Sequence, residues 1–221
     1  MTQPLNTQPA LAPQPVSLSG QYVDLFPLDA ARDGESLFNL SRPNPELFDW
    51  LFSGPFATRE ALNEWLEKSA TSKDSLFFSI LDKTTRQSIG LASLMRIDTV
   101  NRVIEIGNVL FTPALQGTRG ATEAFALLAT YVFDTLGYRR FEWKCNALNA
   151  PSRRAALRYG FQFEGIFRQH MFVKGKNRDT AWFSMLDSEW PARRQALQQW
   201  LSRDNFDANG VQKTKLTRNP D

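Results

Sequence analysis

With 221 residues, 42% of them apolar and 12% aromatic, including 17 Phe and 6 Trp, the chain can bury one sizeable core and is not of disordered composition. Cys145 is the only cysteine and His170 the only histidine, which excludes an internal disulfide and a Cys/His zinc site, so no metal is expected. The net charge of +3 comes from 26 basic and 23 acidic residues interspersed along the chain, apart from a short basic tail at Lys213, Lys215 and Arg218. There is no apolar run of roughly 20 residues and no secretion signal, so a cytoplasmic protein without nucleic-acid or membrane partners is expected.

Residues 1–18 hold Pro4, Pro9, Pro13 and Pro15 without periodicity and read as a disordered lead-in, while residues 204–221 read as a flexible tail, leaving 19–203 as the folded domain. Within it Gln21–Pro27 alternates as a strand, Asp29–Leu40 is helical, and Arg59–Ala70 is a helix with Thr58 as its N-cap. Ser75–Leu81 and Ser88–Ile97, joined by the turn-like Asp82–Thr85, read as a hairpin. Val103–Phe111 is a strand, Pro113–Gly120 interrupts it, and Ala121–Leu136 is a helix, with Phe125, Leu128, Ala129, Val132, Phe133 and Leu136 on one stripe and Gly137 as its stop. Arg140–Asn146 alternates as a half-covered strand. The helix Ala150–Tyr159 ends at Gly160, Phe161–Val173 is a strand bulged at Gly165, Thr180–Leu186 is an internal strand, and Ser188–Ser202 is a surface helix. Strands and helices in this order predict an α/β fold with both hairpins and crossovers, not a doubly wound parallel sheet.

The loop Thr112–Ala124 joins a strand end to a helix start, where backbone N–H groups lack helical partners and can hold a phosphate. Gly117 and Gly120 allow close approach; alternatively the segment is a tight turn, with Gly120 and Glu123 as part of a helix cap. Four strings in this order, Gln116-Gly-Thr-Arg-Gly-Ala-Thr-Glu-Ala124, Arg139-Arg-Phe-Glu-Trp-Lys-Cys-Asn146, Asn149-Ala-Pro-Ser-Arg-Arg-Ala-Ala156 and Gly160-Phe-Gln-Phe-Glu-Gly165, resemble the GNAT superfamily of N-acetyltransferases. The resemblance runs from about Gln21 to Trp190 and is strongest to the branch of the ribosomal-protein N-terminal acetyltransferases.

The resemblance implies a GNAT-type mixed α/β fold: a mostly antiparallel central sheet with two splayed strands, here Val103–Phe111 and Arg140–Asn146, and flanking helices. It implies acetyl-coenzyme A as co-substrate and a small-molecule or peptide amine as acceptor, in a monomer or homodimer. The family's Gln/Arg-x-x-Gly-x-Gly/Ala loop falls on Gln116, Arg119 and Ala121, with Arg119 in place of the middle glycine. Coenzyme A contacts are therefore expected from Phe111, Gln116, Gly117, Thr118, Arg119, Gly120, Ala121 and Thr122, and from Asn149 and Ser152 along the pantetheine arm. Asn149 also reads as a plain N-cap.

Transfer to an amine needs a neutral nucleophile and a proton for the leaving thiolate. The family's usual tyrosine acid, four residues before the glycine of Gly160-Phe161, is replaced by Ala156; Tyr159 points to another side of its helix. Ser152 is the substitute donor to the sulfur. Glu105 is the expected base, placed by alternation on one face with Val103, Gly107, Val109 and Phe111; a structural carboxylate paired with an arginine is the alternative. His170 is a second candidate base or an ordinary strand residue. Glu142 reads as a solvated partner of Arg140 and Lys144, and Cys145 as a packing residue. An acyl-coenzyme A binding module without turnover is the competing function.

Overall fold

The computed structural model describes residues 7–208 and 210–216, and residues 1–6, 209 and 217–221, with Arg218 among them, lie outside this description. Eight strands form one sheet: β1 (Leu18–Ser19), β2 (Val23–Pro27), β3 (Ser75–Asp82), β4 (Ser88–Asp98), β5 (Val103–Phe111), β6 (Arg140–Asn146), β7 (Gln162–Val173) and β8 (Lys176–Leu186). Their spatial order is β1-β2-β3-β4-β5-β6-β8-β7. Every neighbouring pair is antiparallel except β5 and β6. Five helices flank it: α1 (Ala30–Ser41), α2 (Arg59–Ala70), α3 (Arg119–Thr130, continued by a wider turn over Tyr131–Thr135), α4 (Ala150–Tyr159) and α5 (Trp190–Leu201). This is the mixed, mostly antiparallel α/β architecture expected from the sequence.

Strand alternation divides the interior in two. Phe78, Ile80, Leu94, Ile104, Ile106 and Phe141 face α3 and α4 in the larger core, while Phe77, Leu91 and Leu110 face α1 and α2 in the smaller one. The α3 stripe is buried as its spacing predicts, and Phe125 stacks on Tyr159 of α4 with ring centroids 4.3 Å apart. The helix begins two residues earlier than expected because Thr118, with extended backbone, caps it by accepting from the Ala121 N–H.

Glu123 is no part of that cap. Its carboxylate accepts the N–H groups of Gln21, Tyr22 and Val23 at 2.6–2.9 Å, tying α3 to the start of β2. The helix Trp190–Leu201 is not a plain surface helix either, since Trp190, Arg193, Leu197 and Trp200 are buried. Arg193 donates to the carbonyls of Tyr159 and Arg158 at the end of α4, where free carbonyls and the helix dipole favour a cation.

Described residues within the two segments expected to be loose make specific contacts with the fold. Ala10 is buried, the N–H groups of Ala10 and Leu11 reach the carbonyls of Thr99 and Leu136 at 2.9 Å, and Gln14 N–H reaches the Tyr131 hydroxyl. The segment has no periodicity because it is held by carbonyls of the β4–β5 turn and of the end of the α3 extension rather than forming an element. Beyond α5, Asn205 bonds to the backbone of Trp200 and Thr214, Gln212 accepts from the Trp200 indole, and Phe206 sits edge-on to Trp200 at 5.2 Å.

Candidate active site

β5 and β6 pair only from Val103↔Arg140 to Ile106↔Trp143. Beyond that point a bulge diverts β5: Ser93 pairs with Gly107 but Leu91 with Leu110, so Asn108 and Val109 of β5 lie against Ala92 alone, with Asn108 at φ 50°. The strands separate as the sequence led us to expect. The bulge also corrects one expectation, because it reverses the alternation after Gly107. Glu105 and Gly107 share a face, whereas Val109 and Phe111 pack against the larger core.

The gap between β5 and β6 is a cavity of about 140 Å³ that brings together Glu105, Asn149, Ser152 and His170. Asn149 caps α4 by accepting from Ser152 N–H at 3.0 Å, and Ser152 Oγ accepts from the Trp143 indole at 2.9 Å. Ala156 is fully buried in the core, and Tyr159 is buried with its hydroxyl on the Ala121 carbonyl. Burial raises the Tyr159 pKa, so neither position offers an acid to the cavity.

Glu105 is 5% exposed, and its company is ionic rather than apolar. Its Oε2 lies 2.9 Å from Lys144 Nζ and 3.1 Å from Arg96 Nε, yet neither approach is aligned as a hydrogen bond. Burial pushes its pKa above the usual carboxylate range, opposed by Lys144 and Arg96 and reinforced by Glu142. Glu142 is not a solvated residue: it is 8% exposed and bonded to Arg140 and Lys144 at 2.8 and 2.6 Å. The sheet face carrying these charges is covered, so alternation alone misreads it as solvated. His170 is exposed, its ring Nδ1 shares a hydrogen bond with Thr180 Oγ1 at 3.0 Å, and local desolvation together with Arg96, Arg178 and Lys144 lowers its pKa. Cys145 is buried in the core with a raised pKa, again through burial, which suits packing and not nucleophilic attack.

A second cavity lies at the start of α3 and holds Gly117, Thr118, Arg119, Ala121 and Thr122. Gly117 has φ 70° with open space where a side chain would stand, so the turn favours glycine and its free side opens on this cavity. The amides of Gly117, Arg119 and Gly120 donate to no protein group among the described residues. Arg119 and Arg158 both line this cavity, no carboxylate does, and Arg158 is fixed by a 2.9 Å bond to Thr122. Free amides, two guanidiniums and a helix N-terminus fit the diphosphate of a nucleotide-type cofactor. Gln116 and Phe111 stand aside, since the Gln116 side-chain amide turns back onto the Phe111 carbonyl, while Gly120 packs its Cα against Val23 and Leu115 and leaves only its backbone amide for a ligand.

Residues 23–162 match the family described as "Acetyltransferase (GNAT) domain". The chain belongs to that family. A GCN5-related N-acetyltransferase from Brucella melitensis is similar over nearly the whole length, 52% identical with 96% of each chain covered and a TM-score of 0.93. Similarity to the "Uncharacterized N-acetyltransferase p20" of Bacillus licheniformis is 35% over 113 residues, 51% of this chain and 63% of that protein. The ribosomal-protein-serine acetyltransferase of Escherichia coli (strain K12) is 32% identical over 102 residues, 46% of this chain and 56% of that protein. The chain thus aligns with little more than half the length of these two curated relatives.

Sequence reasoning missed the cavity-lining residues Trp143, Lys144 and Arg158 of the GNAT match and, beyond it, Phe206. Trp143 and Lys144 lie in an alternating strand with nothing to mark them. Phe206 lies in the segment taken for a tail, yet lines the cavity at α3. No helix among the described residues is long and apolar enough to cross a membrane.

Proposed function

We propose that the protein transfers the acetyl group of acetyl-coenzyme A to a primary amine, directly and within a ternary complex. The observation that carries this reading is the position of α4 between the two cavities. Asn149 and Ser152 at its start line the gap between β5 and β6, while Ala155, Arg158 and Tyr159 near its end line the cavity at α3. One extended cofactor laid along α4 would reach both. The co-substrate supplies an activated acetyl thioester.

In this reading the amides of Gly117, Arg119 and Gly120, with the Arg119 and Arg158 guanidiniums, bind the diphosphate. Asn149 orients the arm. Ser152, whose oxygen is held by Trp143, donates its hydroxyl hydrogen to the sulfur as negative charge develops there. Glu105 takes a proton from the acceptor amine, directly or through water; burial raises its pKa, which suits a base, and Lys144 and Arg96 oppose that rise. The unpaired Cys145 is consistent with the reducing cytoplasm.

The test is a panel of primary amines with acetyl-coenzyme A, following free thiol and acetylated product together. Amine-dependent thiol release, matched mole for mole by N-acetyl product, is expected. Cofactor binding without amine-dependent release would instead identify an acyl-coenzyme A binding module.

A further inference from the structure

Arg178, on β8, lines the cavity between β5 and β6. It is 7% exposed, and its Nε has no hydrogen-bond partner. Its guanidinium carbon lies 5.0 Å from the Phe52 ring centroid. Among the described residues no carboxylate comes within ion-pair distance of it. The other cavity charges are matched: Arg96 and Lys144 share Glu105, and Lys144 also holds Glu142. Arg178 is therefore the surplus cation of this site, and the neighbouring His170 is held toward its neutral form.

A buried guanidinium whose Nε lacks an acceptor and which has no carboxylate in ion-pair distance is costly to keep, and one lining a ligand cavity becomes favourable once an anion pairs with it there. The guanidinium fork matches a carboxylate in two parallel bonds, with Phe52 supporting one face of the plane. Burial lowers the Arg178 pKa, with Cys145 and Glu105 opposing, in keeping with a cation awaiting a counter-charge. The diphosphate of the co-substrate is assigned to the other end of α4, so it does not meet this need.

We infer that the acceptor is a small amine that itself carries a carboxylate, and that Arg178 binds that carboxylate while the amine faces Glu105. This rests on the acetyl-transfer reading for the role of the ligand, but the binding test does not require turnover.

The test uses full-length protein saturated with coenzyme A. N-acetylglycine, N-acetyl-β-alanine and N-acetyl-γ-aminobutyrate, which differ in the separation of amide and carboxylate, are each titrated against the corresponding neutral amide by calorimetry. At least one carboxylate should bind roughly 10–100-fold more tightly than its amide, the range of a charge-assisted hydrogen-bonded pair. Arg178→Gln should remove that difference while leaving coenzyme A affinity unchanged, which also reports on folding. Arg178→Lys, which keeps the charge and loses the fork, should retain part of it. If no carboxylate is preferred by the unaltered protein, or if the preference survives Arg178→Gln, the inference is overturned. Thiol release with glycine, β-alanine and γ-aminobutyrate separates the two claims. Arg178-dependent carboxylate binding without release would sustain this site and remove acetyl transfer. Turnover of neutral amines with no carboxylate preference would do the reverse.

Discussion

The indole N–H of Trp143 donates to Ser152 Oγ at 2.9 Å, joining the last residue of β6 that pairs with β5 to the first turn of α4. That bond holds the hydroxyl oxygen in place at the cavity, where the Cys145 side chain also lies within its hydrogen-bonding reach. Ser152→Ala should lower kcat about 10-fold with a smaller effect on the KM for acetyl-coenzyme A, because the donor acts on charge that develops in the transition state. Trp143→Phe should reproduce part of the loss. Steady-state kinetics with both substrates varied checks this; a loss confined to KM would assign Ser152 to binding alone.

Glu105 should set the acid limb of the pH profile. Only the ionised carboxylate accepts a proton, so kcat/KM should fall as pH drops through its pKa. Burial raises that pKa, so the limb should lie above the ordinary glutamate value of about 4.3. Glu105→Gln should lower kcat by roughly 10²–10⁴-fold and abolish the limb. Coenzyme A affinity, measured in parallel, controls for the loss of a partner by Lys144 and Arg96. An unchanged limb in the variant would pass the role to His170 or to the acceptor amine.

The Arg119 guanidinium carbon lies 4.8 Å from the Tyr22 ring centroid and 4.6 Å from that of Phe206, so two rings from opposite ends of the chain hold this cation at the mouth of the cavity at α3. Phe206→Ala should raise the coenzyme A Kd by about 3–10-fold, in line with one cation–π contact. Arg119→Ala should raise it further and reduce its dependence on salt. Calorimetry at two ionic strengths tests both, and an unaltered Kd in Phe206→Ala would show that the segment after α5 takes no part in binding.

Gly160 ends α4 at φ 98°, and a Cβ there would lie 2.1 Å from Arg193 Nε. Gly160→Ala should therefore destabilise the fold by about 2 kcal/mol or more, through left-handed backbone strain and displacement of the buried Arg193. Denaturant unfolding measures it. A loss under about 0.5 kcal/mol would mean that Arg193 yields readily.

Most of the fold was legible because its elements carry strong local signals. The α3 stripe, the Thr58 and Asn149 caps, and Gly160 after α4 all act within a turn of chain. The gathering of Glu105, Asn149, Ser152 and His170 into one cavity was also within reach, since the family resemblance supplied the splay. What escaped depends on long-range contact. The Asn108 bulge, which turns Phe111 away from Glu105, arises from pairing with β4. Glu142 and Lys144 alternate as surface residues do, and only the packed sheet shows them buried. Glu123 looks like a cap residue because its partners, Gln21 to Val23, lie about 100 positions away. Ala10, Leu11, Gln14, Asn205, Phe206 and Gln212 lie in stretches without periodicity, and their contacts with Thr99, Leu136, Tyr131 and Trp200 are ones that composition does not encode.

A crystal structure of the coenzyme A complex tests the central claim most directly. The account predicts the diphosphate on the amides of Gly117, Arg119 and Gly120, the arm along α4, and the sulfur in the gap between β5 and β6 within hydrogen-bond reach of Ser152, directly or through one water. A diphosphate bound elsewhere, or a sulfur outside that gap and far from both Ser152 and Glu105, would contradict it.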